Sequence, residues 1–303
     1  MKLWEQYRDL IDDVDAFRSA CLQPLPTAVR VNTIAADPSY ALSALEADDV
    51  TVEIAPWHSH TFRVDTDSPG TTWAYQHGFV HGQEEISQLP PVVLDPDPGD
   101  FVLDLAAAPG GKATQLAAMV RDGGGLVVAN DVDLGRIAAL RSNADRLGVD
   151  NMLVTNQNAR TYSVADIDVA TFDGTVVDAP CSGEGTVRKN PEMRTLSTPV
   201  DRAEFRAIQR DMLTRAVELT APGGRVVYST CTFDPAENEG VLSDVLAQSE
   251  CRLRKIDVAL EGRPGITPWQ GEEFDPDVQL ARRFYPHHTD TGGFFCALLE
   301  VTA

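Results

Sequence analysis

Two cysteines stand where the chain leaves apolar runs that read as strands. Cys181 follows Asp178-Ala179-Pro180 and precedes Ser182-Gly183, and Cys231 sits in Ser229-Thr230-Cys231-Thr232. A single cysteine at a strand end is more often a small buried hydrophobe than a nucleophile. Two of them on successive strands converging on one crevice, with the acid Asp178 three residues before the first, read as a reactive pair. The thiolate is the reactive form, and a neighbouring cation brings the ordinary cysteine pKa of about 8.5 down. Lys112 is the candidate source of that charge. Cys21, Cys251 and Cys296 lack such surroundings and read as packing residues. Five cysteines without a CxxC pair argue against a disulfide framework and a zinc site. His58-x-His60 and His287-His288 come without the cysteine or carboxylate spacing of a zinc site, so no metal is expected.

A second constellation lies upstream, where FVLDL (101–105) runs into Ala106-Ala107-Ala108-Pro109-Gly110-Gly111-Lys112. Such small residues let backbone approach a ligand closely. The GxGxxG dinucleotide spacing is absent, and Ala106 and Ala113 occupy the Gly and Ser/Thr positions of a P-loop. Asp131 stands some twenty residues beyond Gly111, where Rossmann-like folds place a ribose-binding acid. A nucleoside cofactor without phosphates is implied, and S-adenosylmethionine fits.

These residues need strands to aim them. Apolar runs at 101–105, 125–130, 152–155, 175–178 and 225–229 read as buried strands, with helices at 112–121, 134–147, 203–220 and 235–248. Alternating elements with two-sided apolar strands imply a doubly wound, mostly parallel α/β sheet of Rossmann-like type. GGFFCALLEV adds an antiparallel terminal strand, and 262–293 reads as a long loop region. Ahead of this domain, assigned to 81–303, residues 1–80 read as a small α/β module that binds RNA or braces the core. It comprises one amphipathic helix over 3–17, strands at 27–34 and 50–54, and a helix at 38–45. Within it, Arg30 and Asn32 are read either as RNA contacts or as braces.

No apolar run is long enough to cross a bilayer, and the first residues lack the pattern of a signal peptide. A cytoplasmic monomer with no obligate protein partner is expected. The net charge of −21 argues against a polyanion ligand at first sight. Only four lysines occur (Lys2, Lys112, Lys189, Lys255), and aspartate outnumbers glutamate. That bias resembles proteins of salt-in halophiles, in which ~1 M salt shortens the Debye length to roughly 3 Å and screens such repulsion.

Across almost its whole length the chain resembles the Sun/Nop family of RNA 5-methylcytosine methyltransferases, closest to its archaeal and eukaryotic tRNA branch. The resemblance rests on AVRVNTI, DLAAAPGGKATQL, NDVDLGR, DAPCSGEGTVRKNPE, YSTCTFDPAENEGVL and HHTDTGGFFCALLEV. It implies S-adenosylmethionine on residues 106–112, with Asp131 and Arg136 at the ribose, and Asp178 also in the pocket. It implies Cys231 as the nucleophile at cytosine carbon 6, Asp178 with Lys112 at the pyrimidine edge, and Cys181 promoting release. Asn158 stands where the family usually has an adenine-binding Asp; its amide oxygen can accept the same bond, with Gln157 as a residue to share the task. tRNA is the expected substrate, with rRNA, a DNA cytosine-5 reaction and a non-catalytic RNA-binding assembly factor as alternatives. The composition generates a test. Folding and RNA affinity should both improve with KCl up to molar levels, against the usual fall from counterion release. RNA affinity that drops steadily from about 0.1 M upward, on protein folded throughout, would refute the halophilic reading.

Overall fold

The structure, a computed structural model, describes residues 2–195 and 202–303. Helices α1 (Leu3–Gln6) and α2 (Val14–Leu22) come first. A small antiparallel sheet follows, with β1 (Ala28–Val31), helix α3 (Pro38–Glu46), β2 (Val52–Ile54), β3 (Thr61–Val64), helix α4 (Trp73–Gln76) and β4 (Val80–Gly82). Its order is β2-β3-β1-β4, and Val29, Val31, Leu45, Phe62 and Val80 fill its core. Helix α5 (Leu89–Leu94) leads into β5 (Phe101–Asp104), α6 (Gly111–Val120), β6 (Leu126–Asn130), α7 (Leu134–Leu147), β7 (Met152–Thr155) and β8 (Phe172–Asp178). Then come α8 (Arg202–Leu219), β9 (Thr220–Thr230), α9 (Glu239–Leu246) and β10 (Cys251–Arg254). The last part holds β11 (Arg263–Pro264), β12 (Pro268–Trp269), β13 (Glu272–Glu273), β14 (Arg282–Phe284), α10 (Pro286–Thr289) and β15 (Phe294–Val301).

The large sheet runs β11-β14-β15-β9-β8-β5-β6-β7, with β10 on β15. β7, β6, β5, β8 and β9 are parallel, and β15 pairs antiparallel with β9, as the terminal apolar run implies. Successive strand residues face opposite sides. Leu103, Val128, Val177 and Tyr228 point to one core with α8 and α9, while Val102, Val127, Val176 and Val227 point to the other with α5 and α6. Both faces are thus covered, which is why these strands read as unbroken apolar runs. No described helix is long and apolar enough to cross a membrane.

Three expectations are revised. The single helix over 3–17 is two helices, because Asp13 caps α2, its Oδ1 accepting from Ala16 N at 2.9 Å. Both helices pack their apolar residues (Leu3, Tyr7, Phe17, Cys21) on Val187, Phe233 and Tyr285 of the main domain, not on the small sheet. The helix expected at 235–248 begins only at Glu239, since Asn238 bonds Thr230 Oγ1 and Thr232 O through its side chain and leaves helical geometry. The stretch 262–293 is not all loop. It supplies β14, which pairs with β15, and Arg283 within it forms a buried two-bond ion pair with Glu239 (2.6 and 2.5 Å). Removing one member of such a pair costs about 3–5 kcal/mol, because the other charge is left buried alone. Arg283→Met should therefore lower the unfolding free energy by about 3–5 kcal/mol in urea titrations, and Arg283→Met with Glu239→Leu should lose less. A double variant that loses the sum of the two singles would contradict this.

Candidate active site

β5 and β8 are parallel neighbours from which the chain departs in opposite directions, with β6 and β7 beyond one and β9 beyond the other. Sheets of this kind bind ligands at that switch, past the carboxyl ends of the strands. A cavity of about 340 Å³ opens there, with Ala106, Asp131, Arg136 and Asn158 towards one end and Asp178, Cys181 and Cys231 towards the other.

The loop after β5 is shaped by Gly110, whose φ of 107° is a left-handed conformation that glycine adopts without strain. Ala107 and Ala108 pack into the core, and Asn143 donates to Pro109 O. Of the loop residues, Ala106 lines the cavity, whereas Ala107, Ala108, Pro109, Gly110, Gly111 and Lys112 are not among its lining residues. Asp131 is buried and accepts from Ala108 N (3.1 Å) and Asp133 N (2.9 Å), and Arg136 bridges Asp131 and Ala108 O. Asn158 lines the cavity while its Oδ1 accepts from Arg160 N (3.0 Å). Gln157, the substitute considered for it, is bonded through both side-chain atoms to Ser163 and lies outside the lining.

At the other end, Asp178 and Ser229 are register partners on β8 and β9, so the loops they lead into lie side by side. The two cysteine sulfurs come within 3.4 Å of each other, close enough for one thiol to donate to the other sulfur. The hydrogen bond to Cys231, then burial, then the charge on Cys231 push the Cys181 thiol well above its ordinary value. Cys181 therefore rests protonated. Asp178 accepts from Lys112 Nζ (2.7 Å) and from Ser229 Oγ (2.9 Å). Burial opposes the charge on Lys112, but Asp178, Asp104 and Cys231 together hold its pKa above the ordinary value. Lys112 is thus a cation whose direct partner is Asp178, not Cys231.

A polar lattice fixes the loop of Cys231. Gly185 N donates to Cys231 O (2.8 Å), and a methyl on Gly185 would meet Gly293 O at 2.2 Å, so only glycine fits that crossing. Thr232 shares a 2.7 Å bond with Ser182 and donates to Glu184, which also accepts from Tyr7 OH at 2.5 Å. Asp12, His287 and His288 form a group that could hold a metal ion, with both histidine Nε2 atoms on Asp12. Their Nδ1 atoms are buried without partners, whereas a metal-bound imidazole ordinarily donates that second N–H to an acceptor. The pair is better built as donors to Asp12.

Sequence reasoning assigned no role to Leu105, Val132, Ala159, Arg160, Ile208 and Met212, which with Ala179 and Pro180 complete the lining. It also passed over Asn130, whose side chain bonds Leu105 O and the Gln157 backbone and so sets Asp131 beside the loop. Asp104, at the end of β5, is buried with neither carboxylate oxygen completing a hydrogen bond. An acid closing an apolar strand was the available signal. Asp131, which lines the cavity and accepts from Ala108 N of the loop after β5, suits the ribose hydroxyls of a nucleoside cofactor without phosphates, as S-adenosylmethionine is.

The Rossmann-like sheet, its switch-point cavity and the acid after its second strand are those of an S-adenosylmethionine-dependent methyltransferase. The chain belongs to the RsmB/F family, described for 16S rRNA methyltransferases, whose model matches residues 91–300; this is the Sun/Nop family of RNA cytosine-5 methyltransferases. It is 34% identical to the tRNA (cytosine(49)-C(5))-methyltransferase of Pyrococcus abyssi, over 99% of this chain and 95% of that protein. It is also 34% identical to ribosomal RNA small subunit methyltransferase F of Shewanella loihica, over 96% of this chain but 59% of that protein. A methyltransferase homolog from Pyrococcus horikoshii has the same fold, with a TM-score of 0.83 at 33% identity over 96% of this chain and 91% of that one.

The isolation of Asp104 has a consequence for stability. Burial pushes its carboxyl up to about 7, with the charge of Lys112 pulling the other way. Its folded pKa thus exceeds the unfolded value of about 4, so its contribution to stability is full below pH ~4 and lost as pH rises towards 7. In the cofactor-free enzyme at fixed salt, Asp104→Asn should gain on the order of 4 kcal/mol over wild type at pH 8 and little at pH 4. Denaturant titrations at the two pH values check this, and an equal effect at both would overturn it.

Proposed function

We propose that this RNA cytosine-5 methyltransferase acts on tRNA, with Cys231 as the nucleophile and Cys181 as the group that promotes release. The observation that carries the reading is the 3.4 Å contact between the two sulfurs at the mouth of the cofactor cavity. Cys181 is the sulfur of the pair that keeps its proton, which leaves Cys231 as the one for attack on carbon 6 of cytosine. Asp178, which accepts from Lys112 and Ser229, would hold the pyrimidine edge and favour the protonated ring. Bound S-adenosylmethionine supplies the methyl group for carbon 5. Ala106, Asp131, Arg136 and Asn158 would hold it along the cavity, with Ala107 to Lys112 continuing the loop. Loss of the carbon 5 proton then restores the ring and frees Cys231. A cytosine in folded RNA must first be unstacked to reach this site.

For the substrate, support comes from the Pyrococcus abyssi relative, a tRNA enzyme that this chain matches over nearly the whole of both lengths. rRNA is the second reading, favoured by the description of the family model and by relatives of which the chain spans about 59%. We also read the small sheet within residues 1–80 as a module beside the methyltransferase domain at 81–303, with its last strand running on to Gly82 and the helices of residues 3–22 packed on that domain. Its bracing role is supported by Arg30, which bonds Gln83 and Thr114, and by Asn32, which bonds Gly78 O and Leu147 O.

The two cysteine variants should separate on denaturing gels with labelled tRNA and S-adenosylmethionine. Cys231→Ala should neither methylate nor form an adduct. Cys181→Ala should methylate once and accumulate a covalent RNA complex, and Asp178→Ala should abolish that trapping. A DNA-type mechanism gives the reverse pattern. If both cysteines merely pack, each variant loses a few kcal/mol at most and no covalent species appears.

A further inference from the structure

Cys181 is gripped on both sides of its peptide. Gln209 Nε2 donates to Pro180 O (2.8 Å) before it, and Ser182 N donates to Glu237 Oε2 (3.0 Å) after it. The grip is closed by a bond from Gln209 Nε2 to the same Oε2 (2.9 Å). Glu237 is itself anchored, since its backbone carbonyl accepts from the buried Tyr228 hydroxyl at 2.6 Å. Both side chains are fully buried. Glu237 Oε2 thus has two donors, while Oε1 is buried with none, and no arginine, lysine or histidine pairs with Glu237 among the described residues.

That arrangement is costly if the residue only holds the loop. A buried carboxylate without a counter-charge is penalised by several kcal/mol, whereas a neutral glutamine could accept the same two bonds. A proton acceptor needs what Gln lacks. Burial raises the Glu237 carboxyl above its ordinary value, and its charge acts on the Cys181 thiol. The thiol rests protonated, so it can take a proton from the substrate only by giving up its own.

We propose that Glu237 is the positioning residue that receives the Cys181 proton during release, with Gln209 and Ser182 N holding its carboxylate on the peptide N–H that follows Cys181. The inference rests on the cysteine roles proposed above. In the step, the proton on methylated carbon 5 passes to Cys181 Sγ as the original Cys181 proton passes to Glu237. The C–H electron pair forms the carbon 5–carbon 6 double bond, the carbon 6–sulfur bond breaks, and its pair returns to Cys231 Sγ as thiolate. Glu237 then loses its proton to solvent, which accounts for the single proton that methylation of cytosine liberates.

Glu237→Gln keeps acceptors for Ser182 N and Gln209 but cannot be protonated in this way. In single-turnover assays with tRNA and S-adenosylmethionine it should form the adduct and transfer the methyl group. Release should slow at least ~10-fold, the usual lower range for loss of a proton-transfer group, and lose its rise with pH. The covalent complex should then accumulate as in Cys181→Ala. Gln209→Leu, which leaves Glu237 one donor, should shift the midpoint of the release profile to higher pH. Wild-type release with a wild-type pH profile in folded Glu237→Gln overturns the inference. Should that variant not fold, as judged by circular dichroism, an unshifted midpoint in Gln209→Leu overturns it instead. The two levels separate cleanly. If Cys181→Ala accumulates no adduct, the cysteine roles fail; if it does while Glu237→Gln releases normally, only the role of Glu237 fails.

Discussion

Two thiols at 3.4 Å cannot both carry charge in a buried setting, and that constraint organises the rest of the molecule. One sulfur must keep its proton, and the distance must hold well enough for that difference to persist. The sheet provides this. β8 and β9 run parallel as direct neighbours, with Asp178 opposite Ser229, so their loops leave at the same level. Ala179 N bonds Ser229 O and Gly185 N bonds Cys231 O, which extends the pairing past the end of the sheet. A one-residue slip of register would turn both strands' side chains to the opposite faces and part the sulfurs.

The acids around this pair behave differently from those on the surface. Glu184, Glu237 and Glu239 are each fully buried, and each ties one segment of the cysteine loops to another element. Glu239 has the guanidinium of Arg283 in direct hydrogen bonds, Glu184 has the hydroxyls of Tyr7 and Thr232 with the Arg202 guanidinium 3.9 Å away, and Glu237 has an amide and a backbone N–H. The order of compensation runs from full charge to neutral donors. Burial brings Glu184 up to about 7, with the Tyr7 bond working the other way, so its proton is available to a second acceptor near neutrality. Only Glu239 has a guanidinium hydrogen-bonded to both of its carboxylate oxygens, and it has no part in the proton transfer proposed above.

Much of this was legible in the sequence because its signals are local. A strand covered on both faces writes a continuous apolar run, and a ligand loop writes small residues directly after it. Hence β5, β6, β7, β8 and β9, the Ala106–Lys112 loop and the two cysteines could all be found. Contacts between distant segments leave no such trace. The approach of Tyr7 to Glu184 and of Asp12 to His287 and His288 joins residues far apart in the chain, so the first helices read as part of the small module. The start of α9 was missed for a related reason, since Asn238 is drawn out of the helix by Thr230 and Thr232 on the neighbouring strand and loop. The glutamates of that turn could be read as supports of the Cys231 loop, but Gln209 lies within an ordinary helical stretch. Its part in the grip on Cys181 exists only once α8 is packed against the sheet.

The seam between the small sheet and the main domain follows another rule. Arg30 is buried, yet its guanidinium finds Gln83, Thr114 and a backbone carbonyl, and no carboxylate pairs with it among the described residues. Arg146 is held in the same way by Tyr75 O, Val80 O and His81, with its guanidinium 3.8 Å from the Tyr75 ring centre. In a chain of net charge −21, acids were abundant, so two guanidiniums served by neutral acceptors leave a local positive field along this seam. Burial lowers the Arg30 pKa to about 9, still far enough above neutrality to keep its charge. Through Thr114, which also bonds Gly110 O and Gly111 O, that charge connects directly to the backbone of the cofactor loop. The small sheet is therefore joined to the catalytic domain at the helix that opens the cofactor loop, and a shift of one must be felt by the other.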